Sequence, residues 1–121
     1  MIGDIERYIT SVYPNITFGQ LQDTPDAIVN MNISDNGDNP FFADKTTHIL
    51  NLNLTIRDTS YEVLRDTSES IGNYLSNIYD TNIDPNIHIV TIKKTGSQEQ
   101  IWDEKNRYNI YSTFEMLVEK L

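Results

Sequence analysis

Apolar positions along the chain fall into runs of two different periods, and the period changes at prolines and polar clusters. Ile2, Ile5, Ile9 and Val12 recur every three or four residues around Asp4, Glu6 and Arg7, a spacing that predicts a short amphipathic helix. Beyond Pro14, Ile16, Phe18 and Leu21 predict a short strand. Ala27, Val29, Met31 and Ile33 then share one face, with Asn30, Asn32 and Ser34 on the other, the pattern of a half-buried strand. The same period returns where His48, Leu50, Leu52, Leu54 and Ile56 alternate with Asn51, Asn53, Thr55 and Arg57. Directly after it, Thr59, Ser60, Tyr61 and Glu62 have the spacing of a capping box, with the Thr59 hydroxyl and Glu62 carboxylate placed to satisfy orphan amides. Tyr61, Leu64, Ser68, Ile71, Leu75 and Ile78 then trace one stripe along a helix of about five turns.

Three further strands are expected. Residues 87–92 carry apolar side chains on both faces, as a central strand does. Residues 98–102 and 107–118 flank a hairpin-like turn at 103–106. The last run puts Tyr108, Ile110, Ser112, Phe114, Met116 and Val118 on one face and is long enough to leave an exposed edge. Residues 35–46, rich in Gly, Pro, Asn and Asp, read as a loop that holds Phe41 and Phe42. The four prolines, Pro14, Pro25, Pro40 and Pro85, all fall between elements, where a missing amide costs nothing. Gly72 interrupts the central helix, either to admit a strand or a neighbouring subunit or as a tolerated glycine. Together these elements predict an α+β fold: an antiparallel or mixed β-sheet with an N-terminal helix and a long central helix packed on one face. At 121 residues, one domain spanning 1–121 is expected, with about two thirds of its extended surface buried.

Composition narrows the chemistry. Nine basic residues against eighteen acidic ones give a formal charge of −9, which opposes a grip on nucleic acid through phosphate neutralisation. Cysteine is absent, which removes disulfides, thiolate nucleophiles and Cys-ligated zinc. The first fifteen residues hold no continuous apolar run, so neither a signal peptide nor a spanning helix is expected, and no membrane is among the expected partners. His48 and His88 belong to no metal-binding spacing, and the five glycines form no phosphate loop or nucleophile elbow. Asp35-Asn-Gly-Asp38 has the wrong spacing for a calcium loop and reads as a turn. The expectation is a protein without a cofactor or metal and not an enzyme, built around edges and loops for assembly. A small α+β enzyme or ligand-binding domain is the less favoured alternative.

At residues 55–62, TIRDTSYE, the chain resembles the tail terminator proteins of long-tailed bacteriophages, also labelled tail completion or minor capsid proteins. In that family an alternating strand ends in a basic residue, and a short polar turn leads into a helix that opens with an aromatic and an acidic residue. Arg57, Tyr61 and Glu62 match that pattern, and the order of elements agrees along nearly the whole chain. Small residues follow the aromatic–acidic pair in the family, whereas Leu64 and Thr67 stand here. The resemblance implies a virion protein, assembled in the host cytoplasm, that sits at the head–tail junction as a homo-oligomer, a hexameric ring. Such a ring caps the tail tube protein, stops tube growth and meets the head–tail connector protein, while DNA passes through its lumen without specific binding. Another connector component, a head-completion or stopper protein, is the alternative within the same class. A ring needs a heterologous contact that closes on itself, and a free strand edge supplies one. Residues 107–118 or 28–34 are the candidate edges, and Asp35, Asp38, Phe41, Phe42, Arg57, Tyr111, Thr113 and Glu115 the candidate interface residues. Asp35, Asp38, Asp44 or Glu104 are the acids expected near the channel.

Overall fold

The computed structural model describes residues 1–38, 47–100 and 103–121, with 36–38 and 100 described at the backbone. The elements are α1 (Ile2–Val12), β1 (Ile16–Phe18), β2 (Ile28–Asp38), β3 (Thr47–Asp58), α2 (Tyr61–Ser76), β4 (Tyr79–Asp84), β5 (Ile87–Gln100) and β6 (Tyr108–Lys120). The strands form a six-stranded sheet in the order β1-β2-β3-β6-β5-β4. β1 runs parallel to β2 and every other neighbouring pair is antiparallel, so the sheet is mixed and the fold α+β.

Alternation places the core. Met31 and Ile33 on β2, Leu50, Leu52, Leu54 and Ile56 on β3, and Ile110, Phe114, Met116 and Val118 on β6 are all buried on the inner face. Ile5 and Ile9 of α1 and Leu64, Ile71 and Leu75 of α2 close over them in the same cluster. α2 packs on β3, β5 and β6, whereas α1 touches β2 and β4. Those two strands are second and last in the sheet order, so the sheet curls to bring them under one helix. Tyr13 at the end of α1 and Tyr74 of α2 join the two helices, with ring centroids 6.5 Å apart.

Several expectations change. α2 has 16 residues, about four and a half turns, and ends before Ile78, which is buried just beyond it. Its cap is Ser60, not Thr59: Ser60 is extended (φ −104°, ψ 119°), its hydroxyl accepts from Val63 N at 3.4 Å, and Asp58 Oδ1 accepts from Ser60 N at 2.9 Å. The two strands expected at 87–92 and 98–102 are joined: residues 87–100 form one strand, β5, paired with β6 from end to end, and 101–102 lie outside the described residues. Register shifts between Ile89 and Thr91 and between Lys94 and Gly96 break its alternation, which hid its continuity. β4 was not foreseen, and β2 extends four residues into the expected loop, to Asp38. The supposed edge strand, β6, lies between β3 and β5 in the interior of the sheet.

Candidate assembly surface

Two buried arginines shape one end of the sheet. Arg57, at the end of β3, donates through Nη2 to the carbonyls of Gln22 (2.8 Å) and Pro25 (2.7 Å) and is 4% exposed. Its Nε is buried with no hydrogen-bond partner among the described residues. Arg107, before β6, donates to Asp103 Oδ2 (2.8 Å), to the Asp23 carbonyl (2.6 Å) and to Asp23 Oδ1 (3.1 Å). Lys105 forms an ion pair with Asp23 as well. The two arginines thereby bind the loop between β1 and β2 to the sheet, a task suited to a planar fork of fixed donors.

This network sets its own electrostatics. Burial alone would raise the Asp103 pKa, but the backbone amides of Arg107 and Lys105 and the side chains of Asn109 and Arg107 outweigh it and hold the group at about 2. Hydrogen bonds from Lys105 and Arg107 lower the Asp23 pKa. Arg107 loses some stability of its charge to burial and regains more from Asp103 and Asp23, so its pKa rises.

The outer face of the sheet is mostly polar, with Ile49 and Leu117 an apolar pair across β3 and β6. Neighbouring strands set Asn32, Asn53 and Thr113 in one row, Ser34, Asn51, Glu115 and Lys93 in the next, and Asn30, Thr55, Tyr111 and Gln98 in a third. Gly96 belongs here for a steric reason, since a Cβ on it would stand 3.2 Å from Thr113 Oγ1. Thr113 in turn shares a 2.8 Å hydroxyl contact with Thr95.

On the inner face, an open cleft of about 450 Å³ separates α2 from the second half of β5 and is lined by Arg65, Glu69, Gly72, Lys94, Ser97 and Glu99 among others. Tyr61 stands beside Glu99, with its hydroxyl 3.2 Å from Glu99 Oε2 and its ring edge-on to Tyr108 at 5.5 Å. Nothing lies within 4 Å of the position a Gly72 Cβ would take, so no strand of this chain requires that glycine.

The short flanking strands cover only part of their neighbours. β1 covers β2 only at Val29–Met31, because its three residues pair no further. β4 covers β5 only as far as Tyr79 opposite Thr91. Residues 32–38 and 92–100 therefore have a strand on one side and, among the described residues, none on the other.

The predicted interface residues scatter over this surface. Tyr111, Thr113 and Glu115 come together, exposed on the outer face of β6. Asp35 is exposed on β2, with Oδ2 3.6 Å from His48 Nδ1, and the Asp38 backbone pairs with His48. Arg57 is enclosed by the chain's own loop. Phe41, Phe42 and Asp44 lie outside the described residues, and Glu104 is exposed in the turn before β6. His88 bridges β5 to β4, with Nδ1 2.6 Å from Asn82 Oδ1 and Nε2 3.0 Å from Asp80 Oδ1. Among the described residues, no three His, Cys, Asp or Glu side chains gather as a metal site would require. No described helix is long and apolar enough to cross a membrane. Lys93 and Lys94 are exposed on β5 just beyond the stretch that β4 covers.

The architecture is thus an α+β unit in which two helices fill the concave side of a curled, mixed sheet and leave the convex side mostly polar. Among solved structures, it is similar to a chain in the virion of a native gene transfer agent particle. The TM-score is 0.62, with 12% identity over 92% of this chain and 83% of that one, a likeness of fold. No protein-family profile matches the chain, and no curated protein matches it.

Proposed function

We propose that this chain is a structural virion protein that caps the head-proximal end of a tail tube as a ring, stopping tube growth and offering the surface for head joining. The observation that carries this reading is the fold shared with a chain of a gene transfer agent virion across 92% of the sequence. The tail-terminator resemblance at residues 55–62 refines it, and the same stretch forms the β3–α2 junction. In this reading the ring closes by a heterologous contact between identical copies, and tube and connector proteins meet its two rims. Acids such as Asp35 and Glu104 face the channel and repel the phosphates of passing DNA, so that DNA transits without adhering.

Electron microscopy of tails assembled without the protein tests the reading. Tails of uncontrolled length, unable to join heads, are the expected result. Tails of normal length would remove the terminator role, and recovery of the protein on free heads before tail attachment would assign it to the connector.

A further inference from the structure

We propose that the cavity beside Arg57 is a binding site for a carboxylate carried on a short aliphatic stem. The site is read from one chain and needs no ring, so the tail-length experiment above bears on it in neither direction.

Arg57 is the anomaly that points there. A buried charge ordinarily meets a counter-charge, because the solvation it gives up must be replaced. Arg107, 5% exposed, follows that rule, with Asp23, Asp26 and Asp103 all within ion-pair distance. Arg57 is just as buried yet pairs with no carboxylate among the described residues, in a chain where eighteen acids stand against nine bases. Asp58, the next residue, directs its carboxylate to Ser60 N at 2.9 Å and forms no ion pair with Arg57. Nη2 donates to the carbonyls of Gln22 and Pro25. A guanidinium carries five N–H donors, so those on Nε and Nη1 have no acceptor among the described residues.

A cavity of about 260 Å³ adjoins this unmatched cation. Pro25, Ala27, Ile28, Val29 and Ile56 give it apolar walls, and Arg57 is the one base that lines it among the described residues. Its size falls below the roughly 300–1,000 Å³ of pockets for drug-sized ligands. Apolar walls around one cation select an anion with a few methylenes, since the many oxygens of a phosphate or a sugar would lie against carbon without partners. A carboxylate seated there supplies the missing counter-charge and an acceptor for a donor the chain leaves unmatched. A free aliphatic acid and an acidic side chain of a second copy share this chemistry.

The Nε–H resonance of Arg57 reads the site directly in proton–nitrogen spectra of the full chain, and with four arginines in all it is assigned by its loss in Arg57→Lys. Butyrate should move that resonance saturably, whereas butylamine, of similar size and opposite charge, should not. Thr67 lines the cavity from α2, so Thr67→Leu fills it with a better helix former. Thr67→Leu and Arg57→Lys should each weaken butyrate about tenfold, the worth of one charge-assisted hydrogen bond. Thr67→Leu keeps Arg57 and its hold on the loop, so it tests the site even where Arg57→Lys loosens that loop. The same resonance, followed without butyrate as protein concentration rises, separates the two sources. Movement that butyrate suppresses assigns the acid to a second copy; a butyrate response with no dependence on protein concentration assigns it to a free small acid. A resonance indifferent to butyrate and to concentration alike, an equal response to butylamine, or a butyrate response undiminished in Thr67→Leu would overturn the inference.

Discussion

Replacing Arg57 with methionine keeps the length of the side chain and removes its donors, which isolates what the guanidinium contributes. Two charge-assisted hydrogen bonds, to the carbonyls of Gln22 and Pro25 at 2.8 and 2.7 Å, are lost. At about 1.5–3 kcal/mol each, they set a ceiling of about 3–6 kcal/mol. Two effects reduce that figure. Gln22 and Pro25 belong to exposed loop residues, so their carbonyls can turn to water, and the buried Nε without a partner disappears, relieving about 1–3 kcal/mol. The expected net loss is about 2 kcal/mol, which lowers the urea midpoint by about 1 M with an unchanged slope. Amide hydrogen exchange in residues 19–27 should accelerate more than in the strands, because the loop loses its tether before the core loosens. A midpoint equal to the parent's, or faster exchange spread evenly over the sheet, would refute the argument that this arginine holds the loop.

Three more outcomes follow from the geometry. Phe114→Ala removes the largest fully buried side chain among the described residues and should cost about 3–5 kcal/mol in urea unfolding, while a loss below 1 kcal/mol would mean that the core collapses around the gap. Gly72→Ala should raise stability by up to about 1 kcal/mol, since the added methyl meets nothing within 4 Å; a melting temperature that falls would contradict this. Asp103 is held at about 2 against an ordinary 3.8, so the unfolded chain binds its proton first as pH falls; its contribution is complete above about pH 4 and disappears toward pH 2. Asp103→Asn should therefore flatten the stability profile in that window, and an unchanged slope there would count against the assignment.

How far the sequence reveals this molecule depends on how local each cause is. β3 and α2 were legible because alternation and stripe reside within a few neighbouring residues, although the cap, Ser60, falls one residue later than the spacing of Thr59 and Glu62 suggested. β5 was not, since two register shifts interrupt its period and leave its halves looking like separate strands. β4 escaped because its sequence, YDTNID, has the polar character of an edge with little to bury. Arg57 was singled out as a surface residue, yet its carbonyl partners lie 35 and 32 positions away in the chain, a distance no periodicity encodes. The open edge was sought on β6 because that strand looks longest, but length along a chain does not tell which neighbours flank it. Of the other candidate, residues 28–34, the first part is covered by β1, and residues 32–34 have, among the described residues, no strand on that side.

α1 packs on β2 and on β4, the second and the last strand of the sheet. Those strands are not neighbours in the sheet and stand far apart along the chain, so the first helix works as a clasp across the curl. Loosening that one helix would free both strands at once and let the curvature relax as a whole.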